Sequence, residues 1–391
     1  MLVKKYEISR VIDKLKSIVQ KNDRFPALGG ILVKDGYLIA SNTEITLKVK
    51  LEASVGNYFI IPLKALDLIK NLPDGDVEIC STEKNEVIIK TGSIKNKYQS
   101  MDPEEFAFDV KEDEENPGVT LDGKKIMEAM GHVVFAASDN MANIQMTGVY
   151  FDGRETEMKL VALDGHVIAI DSIPTSDAAD LKLIVPKNTV KKLVSLGMID
   201  DVTVTYTKGS AVFKSEEYAV FTRLIDGKYF TYEKMFGYGE TKTIVSRTDL
   251  VGAMTRAKMC TEEKQPAVFD INGKELNVRI ADSRADYKEM VELQVPVEKP
   301  MKIGFDSKLV LETIKAFGSE NIVLNFTNSV TPMIMEAEDS DMKAAVLPVK
   351  IRGKDMLEII DVKELKDATP EEIVNLRKNG WIQEVKKEKE K

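Results

Sequence analysis

Few residues in this chain are of a type that does chemistry. It has two histidines, His132 and His166, and two cysteines, Cys80 and Cys260, in 391 residues. His166 stands in VALDGHVIAI, residues 161–170, where Asp164-Gly165-His166 interrupts an alternating aliphatic stretch. An imidazole beside a carboxylate is the pairing of a general base with its orienting acid. Such a pair needs a nucleophile, a metal or a phosphate cradle to act with. The chain contains no GxSxG, no P-loop, no HExxH and no paired cysteine motif. His132 falls on an apolar-periodic stretch and reads as structural. Two cysteines so far apart make no zinc pattern and suit free thiols in a reducing cytoplasm. Neither a cofactor nor a metal site is expected.

The elements that must position His166 occur three times. LIASNTEITL from Leu38, LVALDGHVIAI from Leu160 and VRIADSRADYKEM from Val278 each read as a strand running into a polar turn, at offsets of 122 and 118 residues. Downstream of each, IIPLKALDLIKNL, IVPKNTVKKLVSL and IGFDSKLVLETIKAFG read as a strand end entering a helix. Pro62 and Pro186 suit a first helical turn, and Gly197 and Gly318 suit helix ends. Upstream of each unit, residues 9–21, 121–138 and 246–260 form amphipathic helix candidates. Each unit of about 120 residues therefore reads helix, strands, helix, strands. The expected domains are 1–116, 117–239 and 240–351, with an extension over 352–391 and a charged linker at 112–118. The fold class is α+β, with two helices per repeat packed on antiparallel sheets. In that frame the Asp-Gly-His tripeptide is the second of three equivalent turns, a placement that catalysis would not explain.

Composition supports a globular protein: 43% apolar, 30% charged. No run of eighteen apolar residues occurs, and the N-terminus lacks the apolar core of a signal peptide, so a cytoplasmic location and no membrane partner are expected. The net charge is −9, yet the six expected helices together carry +9, leaving −18 elsewhere. Basic helices in an acidic protein point to one face for a polyanion, bound through phosphates and blind to base sequence.

VALDGHVIAI, IVPKNTVKKLVSL, VFTRLIDGKYFTYEKMF, MKIGFDSKLVLETIKAFGSENIVLNFTNSV and AAVLPVKI, in this order and spacing, resemble the bacterial DNA polymerase III beta subunit (sliding clamp) family over residues 1 to about 351. The resemblance implies a clamp fold closed into a ring by a head-to-tail homodimer on double-stranded DNA. The implied role is a non-catalytic processivity factor. Its implied partners are the polymerase III alpha subunit, the clamp loader and repair polymerases, which bind through short linear peptides. The matching peptide-cleft positions are Met146, Leu163, Gly165, His166, Val167, Ile168, Phe230, Lys234, Met235, Val330, Pro332, Ala345, Val346, Leu347, Pro348 and Val349. For DNA the family implies Arg24 and the loop at Asn140, joined by the helix lysines Lys14, Lys187 and Lys191. For the dimer it implies Asn96 and Tyr98 facing Met259 and Cys260.

The sequence departs from the family in two cleft positions, Phe230 for a frequent proline and Val167 for a common basic residue. The extension is a further departure: ATPEEIVNLRKNGWIQ has a helix start at Thr369 and Pro370. Two alternatives stay open, a clamp-like accessory paralogue with a different partner set and an enzyme using His166.

Overall fold

The computed structural model describes residues 1–51, 58–106, 118–176, 178, 181–237, 239–260, 265–281, 285–352 and 356–358. The third strand turn at 282–284, the linker at 112–117, the Cys260 side chain and the expected tail helix lie outside the described residues. No helix among those described is long and apolar enough to cross a membrane.

Six α-helices stand where the repeat pattern puts them: α1 (Lys5–Lys16), α2 (Leu63–Lys70), α3 (Gly123–Val133), α4 (Lys187–Leu196), α5 (Arg247–Cys260) and α6 (Ser307–Ala316). Helix α1 starts four residues before the expected 9–21. Its buried stripe Ile8, Val11, Ile12 and Leu15 begins ahead of Ser9, so Ser9 lies inside the helix. Pro62 and Pro186 are the last residues of strands and precede α2 and α4 directly. Gly197 follows α4 at φ +61, the left-handed conformation that ends helices. Helix α6 stops without that device, at an extended Phe317.

The chain divides into two compact units, 1–127 with 192–226, and 128–191 with 227–391. Both units cut across the sequence repeats, because strand pairing joins one repeat to the next. In the first unit, Ile45–Lys50 pairs with Tyr218–Arg223 inside an eight-stranded antiparallel sheet, Val49 opposite Tyr218. In the second, Val167–Pro174 pairs with Ser340–Val346 inside a ten-stranded sheet, Val167 opposite Val346 and Ile168 opposite Ala345. Apolar residues on inward positions, such as Leu47 and Val220 in one sheet and Ile168 and Ala345 in the other, are fully buried.

The repeat extends to individual hydrogen bonds. The Asn42 carboxamide oxygen accepts from the amides of Glu44 and Ile45, and Asn42 N–H reaches Ile45 O. The Asp164 carboxylate accepts from the amides of His166 and Val167, and Asp164 N–H reaches Val167 O. Both are Asx turns, in which a short acceptor side chain closes the chain reversal. Thr43 sits at φ +77 and Gly165 at φ +92 in the two turns. Nothing lies within 4 Å of where a Gly165 Cβ would stand, so glycine is required there for its φ and not for close approach.

Candidate functional site

The structure separates the sixteen expected cleft residues into two groups. Val167, Ile168, Ala345 and Val346 have no exposed surface, because they form the strand junction itself. Met146, Leu163, Pro332, Met235, Pro348 and Val349 are also buried. His166 and Lys234 are exposed, and Gly165, Phe230, Val330 and Leu347 are half-buried. The junction thus holds the accessible residues in place without itself offering a surface to a ligand.

His166 and Leu347 belong to one cavity of about 1030 Å³. Leu347 N–H donates to His166 O at 2.8 Å, extending the strand junction by one bond to the cavity rim. The cavity's apolar wall includes Val134, Phe135, Leu309, Leu347 and Val349. Its charged lining is Asp139, Asp164, Asp306 and Glu312 against Lys187, Lys191, Lys308 and Lys315. Three of the four carboxylates are already engaged. Asp164 closes its turn, and Asp306 caps α6 by accepting from the amides of Lys308 and Leu309. Asp139 binds Lys187 Nζ at 2.7 Å. That hydrogen bond, with the nearby charges of Lys187, Lys191 and Lys308, outweighs burial and lowers the Asp139 pKa. Among the described residues Lys191, Lys308, Lys315 and Glu312 make no hydrogen bond or ion pair, and the lining as a whole holds four carboxylates against four lysines.

Phe230, Lys234 and Met235 are set by a polar cluster that sequence reading missed. Asp152, 5% exposed, accepts from Tyr232 Oη, from Arg154 Nη2 at 2.8 Å and from Lys182 Nζ at 2.6 Å. Burial alone would raise the Asp152 pKa. Its hydrogen bonds from Lys182, Tyr232 and Arg154 prevail and bring it to about 2. Burial, with Asp152 alongside, pushes the Tyr150 hydroxyl up to about 12. Tyr229 stacks on Tyr150 at 4.7 Å between ring centroids and donates to Val161 O at 3.3 Å. The segment DGKYFTYEKMF is therefore pinned at Tyr229 and Tyr232, with Phe230 between the pins. The alternation of tyrosines with charged residues in that segment was the available signal. The partner of Tyr232, Asp152, lies 80 residues away.

The expected DNA residues divide similarly. Arg24 and Asn140 are exposed. Lys191 is exposed and belongs to the cavity described above. Lys14 Nζ reaches Leu196 O at 3.5 Å, while Lys192 Nζ binds Lys14 O and Ser17 Oγ. Burial and the charge of Lys14 lower the Lys192 pKa. Lys187, expected as a phosphate contact, has partners within the chain. Its side chain is 11% exposed and is tied to Ala137 O at 2.6 Å as well as to Asp139. Of the helix cations, Arg256 pairs with Glu289 on a strand, while Lys16–Asp67 and Lys70–Asp13 join two helices and leave their summed charge unchanged.

For the expected dimer residues, Asn96 and Tyr98 lie half-buried on Ile94–Gln99, an edge strand of the four-stranded sheet. Met259 is 80% exposed near the end of α5. Among the described residues no cluster of His, Cys, Asp or Glu is arranged to hold a metal.

Repeated helix pairs on antiparallel sheets, with an apolar cavity and a histidine spent on turn and strand geometry, define a binding scaffold of the clamp class. Three family models match in succession: DNA polymerase III beta subunit, N-terminal domain, over 1–110, central domain over 120–230 and C-terminal domain over 238–350. The chain belongs to the DNA polymerase III beta subunit family. The beta sliding clamp of Staphylococcus aureus (strain Mu50) is 22% identical over 368 residues, covering 88% of this chain and 97% of the relative. The solved sliding clamp of Bacillus subtilis superposes with a TM-score of 0.82 at 19% identity, covering 90% of this chain and 99% of that one. A Pseudomonas aeruginosa clamp bound to griselimycin superposes at 0.80, with 19% identity over 90% and 99% of the two chains. Membership in this family makes the chain a non-catalytic subunit, and the enzyme reading of His166 is set aside.

Proposed function

We propose that this protein is a processivity clamp that encircles duplex DNA as a head-to-tail dimer and tethers polymerase and other partners by short peptides. One observation carries the reading, the recurrence of a single strand junction. The first repeat joins the second by Ile45–Lys50 against Tyr218–Arg223, and the second joins the third by Val167–Pro174 against Ser340–Val346. Two strand edges of the same kinds remain. Ile94–Gln99 corresponds to Tyr218–Arg223 and Ser340–Val346, and residues 286–292 correspond to Ile45–Lys50 and Val167–Pro174. Pairing these edges between two copies satisfies both by a heterologous contact that closes. Asn96 and Tyr98 would lie in that contact, with Met259 and Cys260 beside it. The domains in this reading are 1–116, 117–239 and 240–351.

Sequence-blind DNA retention fits a ring better than a tight groove. Arg24, Lys191 and Lys14 are the proposed phosphate contacts, loose and screened by salt, with Asn140 adding a neutral contact. The peptide site is centred on His166 and Leu347, with Phe230, Lys234 and Val330 as its other accessible residues. One leucine-sized anchor contributes about 1.5–3 kcal/mol, so two or three hold a peptide reversibly. The polymerase III alpha subunit, the clamp loader and repair polymerases are the proposed partners, at the bacterial nucleoid. A second reading, an accessory clamp with a different partner set, draws on Phe230 and on Val167 being sealed inside the sheet.

Retention on plasmid tests the ring. The loaded protein is expected to stay on nicked circular DNA and to leave when the circle is cut. A monomer in solution with equal retention on both forms would overturn it. Griselimycin serves as the probe peptide for the cavity.

A further inference from the structure

We propose that ring closure sets two unneutralised lysines directly against each other, Lys95 of one copy and Lys288 of the other, so that like charge weakens the joint between copies. The proposal rests on the reading of the two free strand edges as the dimer contact and adds its register and its electrostatic consequence.

The two junctions inside the chain fix the register of the third. In the first, Ser41 pairs with Thr46 where Tyr37–Ser41 turns into Ile45–Lys50. Ser215 N–H reaches Tyr218 O where Ser210–Lys214 turns into Tyr218–Arg223. Across the junction Tyr218 stands opposite Val49, three residues beyond Thr46. The free edges have the same two hairpin ends, since Ala281 pairs with Asp286 and Thr91 pairs with Ile94. The same count puts Ile94 opposite Glu289. Lys95 then faces Lys288, Asn96 faces Tyr287 and Lys97 faces Asp286. The second internal junction agrees. Val245, two residues before α5, pairs with Ile322, and the next row runs from Val323 through Glu336 to Lys343. Val3, two residues before α1, pairs with Val77, and the next row runs from Glu78 through Lys90 to Lys95. Lys343 stands opposite Ile170, two residues beyond the hairpin end at Ile168, as Lys288 is two beyond Asp286.

Directly paired residues point to one face of a sheet, so opposed charges in a row act on each other. At both internal junctions the lysine of this row faces an aliphatic residue, Lys48 against Ala219 and Lys343 against Ile170. Between copies two lysines meet. Both are exposed, and among the described residues neither Lys95 nor Lys288 makes an ion pair. The acids of the same face are already held. Glu78 binds Lys90 Nζ at 2.9 Å, and Glu86 binds Lys97 Nζ at 2.8 Å. Asp286 accepts from Arg279 Nε and Nη2, both at 2.9 Å. Glu289 lies on the opposite face, paired with Arg256. The joined face thus sets Lys90, Lys95, Lys97, Arg279 and Lys288 against only Glu78, Glu86 and Asp286.

Backbone hydrogen bonds hold such a joint, and directly opposed like charges subtract from it. A closed ring admits a circular duplex by parting at a joint. The lysine pair weakens the joints between copies and leaves those inside the chain untouched.

Charge reversal in the full chain tests the pairing, with dimer dissociation followed by analytical sedimentation. Lys95→Glu and Lys288→Glu each make the pair attractive and should tighten the dimer about fivefold or more over its two joints. The double variant sets Glu against Glu and should return to within about twofold of the parent, a non-additivity expected only of residues in contact. Lys64→Glu, at an exposed position of α2, makes the same change in net charge and should leave the affinity unchanged. Raising the salt should shrink the gap between the parent and either single variant. Single variants that bind no tighter than the parent, or a double variant tighter than both singles, overturn the proposal. If the dimer and its retention on nicked circular plasmid persist in that case, the ring reading stands. A parent and variants that are all monomeric and all unretained overturn the ring and the pairing together.

Discussion

Leu347 N–H donates to the His166 carbonyl at 2.8 Å, and this bond carries the strand junction of the second and third repeats to the rim of the cavity. It uses the backbone of His166 and leaves the imidazole exposed. The histidine that invites a catalytic reading thus closes a sheet with its main chain and leaves its side chain exposed.

The roles of backbone and side chain at His166 separate by mutation. His166→Ala keeps the carbonyl and removes the imidazole. Griselimycin binding should weaken about three- to tenfold, with an unchanged solution mass. Leu347→Asp puts a charge on the apolar wall and should cost at least 10-fold, from the loss of about 1.5–3 kcal/mol of anchor burial. Calorimetric titration of the variants measures both. Unchanged affinity for both variants would remove the cavity from the peptide site.

Asp152 gives the acid dependence of the segment that carries Phe230. Its folded pKa, about 2, lies below the usual 3.8. A depressed acid stabilises the fold above its unfolded pKa, and that contribution is lost as pH falls through about 4 toward 2. Asp152→Asn should lower stability by about 2 kcal/mol at pH 7. It should also flatten the stability profile between pH 4 and pH 2. Chemical denaturation across that window checks the sign. A variant profile parallel to the parent's would contradict the assignment.

The two Asx turns make opposite predictions. Thr43 holds φ +77 with a β-branched side chain, a strained state that glycine adopts freely. Thr43→Gly should raise stability by up to about 1 kcal/mol, since relief of strain exceeds the entropy glycine adds to the unfolded chain. Gly165→Val should lower it by about 1–3 kcal/mol through the same physics reversed. Thermal melts of the two variants are expected to move in opposite directions.

The proposed ring closure would run through an edge strand. Asn96→Pro removes an amide from Ile94–Gln99 and should disrupt a strand contact between copies. Light scattering should show a monomer and plasmid retention should fall. Met259→Asp, on the opposing surface, should do the same. Dimers persisting in both variants would place the contact elsewhere.

Much of this protein was legible in the sequence. Helix period, strand alternation and the offsets of 122 and 118 residues are local or repetitive signals, and six helices stand where they point. Helix α1 starts four residues ahead of the expected 9–21, because the apolar stripe that decides the boundary begins at Ile8. The order of segments was enough to indicate the family.

Tertiary structure decided what those residues are available to do. Val167, Ile168, Ala345 and Val346 look alike as aliphatic residues whether they line a cleft or seal a sheet, and pairing across more than 170 residues settles them as sealed. Lys187 and Lys191 are both lysines of one helix. The first is consumed by Asp139 and Ala137 O, and the second faces the cavity. Asp152 gathers Tyr232, Arg154 and Lys182 from three places in the chain. Composition and period report what each residue prefers on its own. Burial and charge pairing depend on which distant residues arrive beside it, and that is a property of the folded chain.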